Sequence, residues 1–142
     1  MRKDTSINEE NIALVTGSTK GLGLHIAKLL EVQGYRLILT GRSHKNLLSA
    51  LQQMQHPNLH ITFCGDLSQP DNVKKLCHLP FLPQVIIHNI GGKIEGDEQP
   101  LRPEILMQSL ALNLGIAVSL NEYYLPLMHI LKARHVFMKK VI

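Results

Sequence analysis

The chain contains no tryptophan, and Phe, Trp and Tyr together make up only 4% of its 142 residues. Its core is therefore expected to be aliphatic. Cysteine is nearly missing too: Cys64 and Cys77 fit neither a disulfide framework nor a metal-site spacing, and both read as reduced, structural thiols of a cytoplasmic protein. Met1 to Glu10 is charged and polar, lacks the apolar centre of a signal peptide, and reads as a flexible tail. No apolar run continues long enough to cross a bilayer, because Leu110 to Leu131 is broken by Asn113, Asn121 and Glu122, so no membrane segment is expected. Nor is there a block of one charge. The formal charge is +4, but Lys and Arg are scattered, which describes a solvated surface and makes nucleic acid an unexpected partner. His56 and His60 stand four apart, yet Pro57 lies between them and no carboxylate or thiol is near in sequence. They read as surface histidines at a loop, and no metal site is expected.

What is present is a 44% apolar, 18% charged chain of a length that supports one domain with a real core, placed at residues 11–142. Its organising stretch is Leu14-Val15-Thr16-Gly17-Ser18-Thr19-Lys20-Gly21-Leu22-Gly23, an apolar strand leading through glycines into an amphipathic helix. Glycine suits such a turn because a Cβ would oppose its backbone angles and keep a diphosphate away from the main chain. The amino end of the following helix, with its unpaired N–H groups and positive dipole end, then favours an anion. The stretch reads as a nucleotide-phosphate cradle.

Strand and helix alternate from there. Asn11 to Thr16 is a strand; Gly21 to Gln33 is a helix with Leu22, Ile26, Leu29 and Leu30 on one face, stopped by Gly34. Tyr35 to Thr40 is a second strand, and Ser43 is placed to cap a helix that carries Leu47, Leu48, Leu51 and Met54. Leu59 to Cys64 is a third strand, followed by Ser68-Gln69-Pro70-Asp71 as a capping pattern for a short helix. Gln84 to His88 is a fourth, with a polar stretch from Gly91-Gly92 to about Pro100. From Pro103 two helical patterns meet near Asn113, the second holding Pro126, and His135 to Met138 reads as the start of a fifth strand. This alternation predicts an α/β class with a parallel sheet and right-handed crossovers. Gly17, Arg42, Asp66 and Asn89 each follow the end of a different strand, where ligands of such sheets bind.

These residues resemble the short-chain dehydrogenases/reductases, which exchange hydride between a nicotinamide dinucleotide and a carbonyl or alcohol. Thr16-Gly17-Ser18-Thr19-Lys20-Gly21-Leu22-Gly23 is similar to the family's Thr-Gly-x-x-x-Gly-x-Gly cofactor loop. His88-Asn89-Ile90-Gly91 is similar to its Asn-Asn-Ala-Gly, with His88 and Ile90 as departures; Asn89 would hold the central sheet and the cofactor side. Asp66-Leu67 matches the acidic position that contacts the adenine ring, and Asn113 the helix-borne catalytic Asn, with Leu125-Pro126-Leu127-Met128 trailing it. The resemblance implies a Rossmann-like, doubly wound, three-layer sheet, incomplete at its carboxyl end.

After the second strand stands Gly41-Arg42-Ser43, with no carboxylate to accept from the 2′-hydroxyl of NAD and a guanidinium suited to a 2′-phosphate. Lys20 could add a second cation. NADP is therefore expected ahead of NAD.

Within the resemblance the catalytic set is an Asn, a Ser and a Tyr-x-x-x-Lys pair, and only Asn113 has a match. Tyr35, Tyr123 and Tyr124 have Leu39, Leu127 and Met128 four residues on, and all three read as packing residues. Laid on the family's fifth strand, Lys139 and Lys140 fall where a Ser-Ser pair stands. The chain is thus expected to be the cofactor-binding half of a reductase, truncated before its catalytic Ser and Tyr-x-x-x-Lys and inactive alone; the alternative is a non-catalytic dinucleotide-binding module. Its 114–131 helix is expected to expose apolar residues and to favour self-association.

Overall fold

The structure is a computed structural model that describes residues 8–92 and 102–130. The expected fifth strand at His135 to Met138, Lys139 and Lys140, and most of the stretch between Gly92 and Pro100 lie outside the described residues. In chain order the elements are β1 (Asn8–Val15), α1 (Gly21–Val32), β2 (Tyr35–Gly41), α2 (His44–Gln52), a 3-10 turn (Pro57–Leu59), β3 (Ile61–Cys64), α3 (Pro70–Cys77), β4 (Val85–Ile87), α4 (Pro103–Leu110) and α5 (Ile116–Ile130). Residues Ala111–Gly115 join the last two as a stretch of π-helix.

The four described strands are parallel in the order β3-β2-β1-β4, so β1 is flanked by β2 and β4, and the strand order reverses after β3, with the switch point between β1 and β4. Alternate strand residues supply two cores. Ile12, Leu14, Ile38 and Ile86 face α3 and α5 through Val73, Leu76, Ile116, Leu120, Tyr124 and Met128. Ala13, Val15, Leu37, Leu39, Val85 and Ile87 face α1 and α2 through Leu24, Ala27, Leu47 and Ala50. A sheet buried on both faces explains why its strands read as continuous apolar runs.

Several expectations need correction. β1 begins at Asn8, inside the expected tail, with a register shift between Asn8 and Ile12. The buried face of α1 is Gly23, Leu24, Ala27 and Glu31, whereas Leu22 and Leu29 are 43% and 55% exposed. Small residues let the helix approach the sheet, and the larger leucines are left outside. Ser43 does cap α2, its Oγ accepting from the Asn46 N–H at 3.3 Å. Ser68 caps nothing: α3 starts after Gln69 without a side-chain cap, and Pro70 takes the position where no N–H is needed.

The histidine pair departs further from a surface loop. His56 is exposed, but His60 is buried, with its Nε2 2.8 Å from Oε1 of the equally buried Glu31. Among the described residues no group of His, Cys, Asp and Glu is arranged to hold a metal ion. The helix from Pro103 to Met128 is long and apolar enough to cross a membrane by length and composition. Its Ile116, Leu120, Tyr124 and Met128 face is packed against the sheet, while only 17% of its most apolar window is buried.

Candidate functional site: a cleft at the carboxyl ends of the strands

Loops from all four strand ends meet at one cleft of about 620 Å³, a size suited to a bound small molecule. Gly17, Thr19, Lys20, Gly21 and Leu22 form one wall, Arg42 and Asp66-Leu67 the far rim, and Asn89 and Gly91 the opposite side. The residues singled out at four separate turns are therefore brought together. Thr16, Ser18, Gly23 and Asn113 stand outside the lining and act from behind it.

Thr16 and Ser18 are the braces. The buried Thr16 hydroxyl accepts from the Asn89 and Ile90 N–H groups at 3.0 and 3.3 Å, tying the end of β1 to the loop after β4. Ser18 bonds in the other direction: its N–H donates to the Thr40 carbonyl at 3.1 Å, and its Oγ accepts from the Thr40 N–H at 2.9 Å. The Gly17 N–H donates to Thr40 Oγ1 at 3.1 Å, and Asn89 Nδ2 donates to the Gly17 carbonyl at 3.1 Å. The loop is thus sewn to both neighbouring strands before any ligand enters.

Gly17 and Gly21 have φ of 63° and 56°, angles that a side chain would strain. Gly23 is required for another reason, since a Cβ there would collide with the Gly17 carbonyl oxygen and the Asn89 amide. Lys20 is the N-cap of α1 and supplies no side-chain cap, so the first N–H groups of the helix face the cleft mouth. A shaped, backbone-lined concavity at a helix amino end fits the diphosphate of a dinucleotide.

The far rim carries charge of both signs. Asp66 Oδ1 accepts from the Ser68 hydroxyl at 2.7 Å and its N–H at 2.9 Å. Those bonds, with a smaller contribution from the nearby Arg42 guanidinium, hold the Asp66 carboxyl below the ordinary carboxylate range, despite some opposing burial. Arg42 itself is exposed.

Asn113 sits in the π-helical stretch beside the cleft. Its Oδ1 accepts from the Gly92 N–H at 2.9 Å, while Nδ2 donates to the carbonyls of Gly92 and Ser109 at 3.0 and 2.9 Å. It thereby holds the backbone at Gly92, whose φ is 155°. His88, a departure from the motif, reaches Asn121 on α5 at 2.8 Å. Tyr124 is buried and donates to the Leu76 carbonyl at 3.3 Å, while Tyr123 is half-exposed beside it.

Thr40, Gly41, Gly65, Ile90, Gly92, Leu112 and Ile116 also line the cleft, beyond the expected cofactor-binding residues. Thr40 carried a legible signal, a hydroxyl ending an otherwise apolar strand. Leu112 and Ile116 carried none, because helical periodicity places them in a core.

A family model described as short chain dehydrogenase matches residues 11–135. The chain belongs to this family. Proteins similar to it include the uncharacterized oxidoreductase DltE of Bacillus subtilis, 33% identical over an alignment of 128 residues that covers 86% of this chain and 49% of that protein. Dehydrogenase/reductase SDR family member 7B of Xenopus tropicalis is 27% identical, over 84% of this chain and 42% of its own. The chain thus spans about half the length, or less, of these relatives. Among solved structures, a 3-oxoacyl (acyl-carrier-protein) reductase from Agrobacterium tumefaciens with NADP bound matches with a TM-score of 0.77 and 28% identity, over 94% of this chain and 53% of that one. L-sorbose reductase from Gluconobacter frateurii, complexed with NADPH and L-sorbose, matches with a TM-score of 0.80 at 20% identity over the same shares, which shows the fold.

Proposed function

We propose that the chain binds NADP(H), and NAD less well, as the cofactor half of a cytoplasmic short-chain oxidoreductase that moves hydride between nicotinamide and a small carbonyl or alcohol. The observation that carries this reading is the convergence of Gly17, Gly21, Arg42, Asp66 and Asn89 on one cleft. The diphosphate would lie on the glycine loop and the amino end of α1, between Ser18 and Gly23. The adenine would lie toward Asp66 and Leu67, and a 2′-phosphate between Arg42 and Lys20. Nicotinamide supplies the hydride when bound; Ile90, Leu112 and Ile116 give its end of the cleft an apolar wall, which keeps water from the transfer. The likeness to an NADP-bound reductase at 28% identity supports the cofactor class.

Asn113 is the one member of the family's catalytic set with a match, and its side-chain amide is already engaged with Gly92 and Ser109. The sequence contains no Tyr-x-x-x-Lys and hence no phenol with a lysine to pass the substrate proton. The engagement of the Asn113 amide with Gly92 and Ser109 supports a second reading, a dinucleotide-binding module without chemistry of its own. Fluorescence titration with NADPH tests binding, and saturable enhancement is expected. Hydride transfer to a panel of carbonyls, measured on the chain alone and mixed with a full-length relative, then separates the readings. No turnover alone is expected under either; turnover in the mixture above that of the relative alone supports the enzyme half, and turnover equal to that of the relative alone supports the module. Absence of NADPH binding overturns both.

A further inference from the structure

The end of β2 contributes Thr40, Gly41 and Arg42 to the cleft, and each is constrained differently. Thr40 is 1% exposed with its hydroxyl accepting from Gly17, and Arg42 is a cation. Of these three, position 41 is the one open to a carboxylate that would accept hydrogen bonds from a ribose 2′-hydroxyl. The backbone permits it, since Gly41 is not among the glycines with positive φ. The space does not. A Cβ on Gly41 would collide with Cγ2 of Thr19, from the glycine loop, and would lie only 3.3 Å from Leu47 Cγ. Overfilling such a spot displaces the neighbours it touches.

We infer that Thr19 is a specificity-determining residue: its γ-methyl fills the place of a side chain at position 41 and so excludes a ribose-binding carboxylate. Charge at Arg42 then favours the 2′-phosphorylated dinucleotide, and shape at Thr19 keeps position 41 closed to the side chain that would reverse that preference. The inference rests on the reading of the cleft as a dinucleotide site, and extends it to the residue that blocks the alternative cofactor.

The test is a double-mutant cycle of the wild-type chain, Thr19→Ser, Gly41→Asp and the pair. Serine keeps the hydroxyl and removes only the methyl. Each protein is melted without ligand and titrated with NADPH and NADH. Gly41→Asp alone should melt lower than wild type and bind both dinucleotides about tenfold more weakly, a change of about 1.4 kcal/mol in binding. In the pair, melting should recover beyond the sum of the single effects, and the NADH-to-NADPH affinity ratio should rise about tenfold above wild type. Thr19→Ser alone should leave that ratio unchanged, because no carboxylate is present. Additive melting temperatures, or a Gly41→Asp chain that gains NADH without a melting loss, would overturn the interlock while leaving the dinucleotide site standing. A wild-type chain that binds neither dinucleotide removes the site and the specificity role together.

Discussion

Glu31 and His60 meet at 2.8 Å in the interior, with side chains 2% and 0% exposed. His60 Nδ1 accepts from the Leu37 N–H at 3.1 Å, which leaves the ring proton on Nε2, directed at the carboxylate. Glu31 also accepts from the N–H groups of Gln55 and His56 at 2.9 and 2.8 Å. One carboxylate on α1 thus ties down the connection between α2 and β3 and, through His60, the start of β2.

Acid should loosen this tie. Burial would raise the Glu31 carboxyl, but the hydrogen bonds from His60, Gln55 and His56 outweigh it and hold the group below its ordinary value of 4.5. A group lowered on folding stabilises fully above its unfolded pKa and loses that contribution as pH falls through the folded one. The melting temperature should therefore fall below pH 4.5, and Glu31→Gln should flatten that limb. Glu31→Ala strands three donors and should cost on the order of 3 kcal/mol or more at neutral pH, read by urea unfolding. An acid limb of equal slope in Glu31→Gln would assign the effect to other carboxylates.

Thr16→Val keeps the shape of the buried side chain and removes the acceptor for the Asn89 and Ile90 N–H groups. Stability should drop by about 1–3 kcal/mol, with an unchanged dependence on denaturant, because buried donors are left unsatisfied. NADPH affinity should fall with it, since the Asn89 side of the cleft is no longer moored. A urea midpoint equal to that of wild type would mean that these bonds hold nothing.

Gly23→Ala addresses the loop itself. The added methyl meets the Gly17 carbonyl and the Asn89 amide, both of which are backbone or hydrogen-bonded parts of the brace. The loop must open to admit it, so NADPH binding should be lost and melting lowered. Gly21→Ala meets no neighbour but carries the strain of φ 56°, and should cost about 1 kcal/mol while leaving weaker binding measurable. Equal losses in the two variants would contradict the separate roles of space and angle.

The four strands and the cleft were legible because each strand ends in a residue of distinct chemistry: Gly17, Arg42, Asp66 and Asn89. What escaped was decided across the fold. The leucines of α1 suggested its buried face, but Gly23 and Ala27 face the sheet because small residues allow close packing, and Glu31 joins them because His60 lies opposite. Sequence distance hid that partner. Ser68 follows Asp66 closely enough to bond its carboxylate, a local alternative that won over capping α3.

Arg42→Ala should separate the two cofactors. The guanidinium is exposed, close enough to Asp66 to lower its carboxyl, and lies on the cleft rim. NADPH affinity should fall tenfold or more, about 1.4 kcal/mol, while NADH changes little. Raised salt should weaken NADPH binding in wild type more than in the variant, because the pairing is exposed and screened. Equal losses for both dinucleotides would move the 2′-phosphate away from Arg42.

The outer side of the last helices carries a separate expectation. Met107, Leu110, Leu114 and Val118 recur at helical spacing and are 65%, 45%, 43% and 46% exposed, with Leu125 and Leu127 further along. Apolar surface gathered along one helix is costly in water, and a second copy can cover it. Sedimentation should show association that grows with concentration, and Leu114→Glu with Val118→Glu should shift it toward monomer without loss of helical circular dichroism. Neither substitution touches the sheet-facing residues Ile116, Leu120 and Tyr124, so folding is preserved as a control. A wild-type chain that sediments as monomer at every concentration would show that this face does not drive assembly.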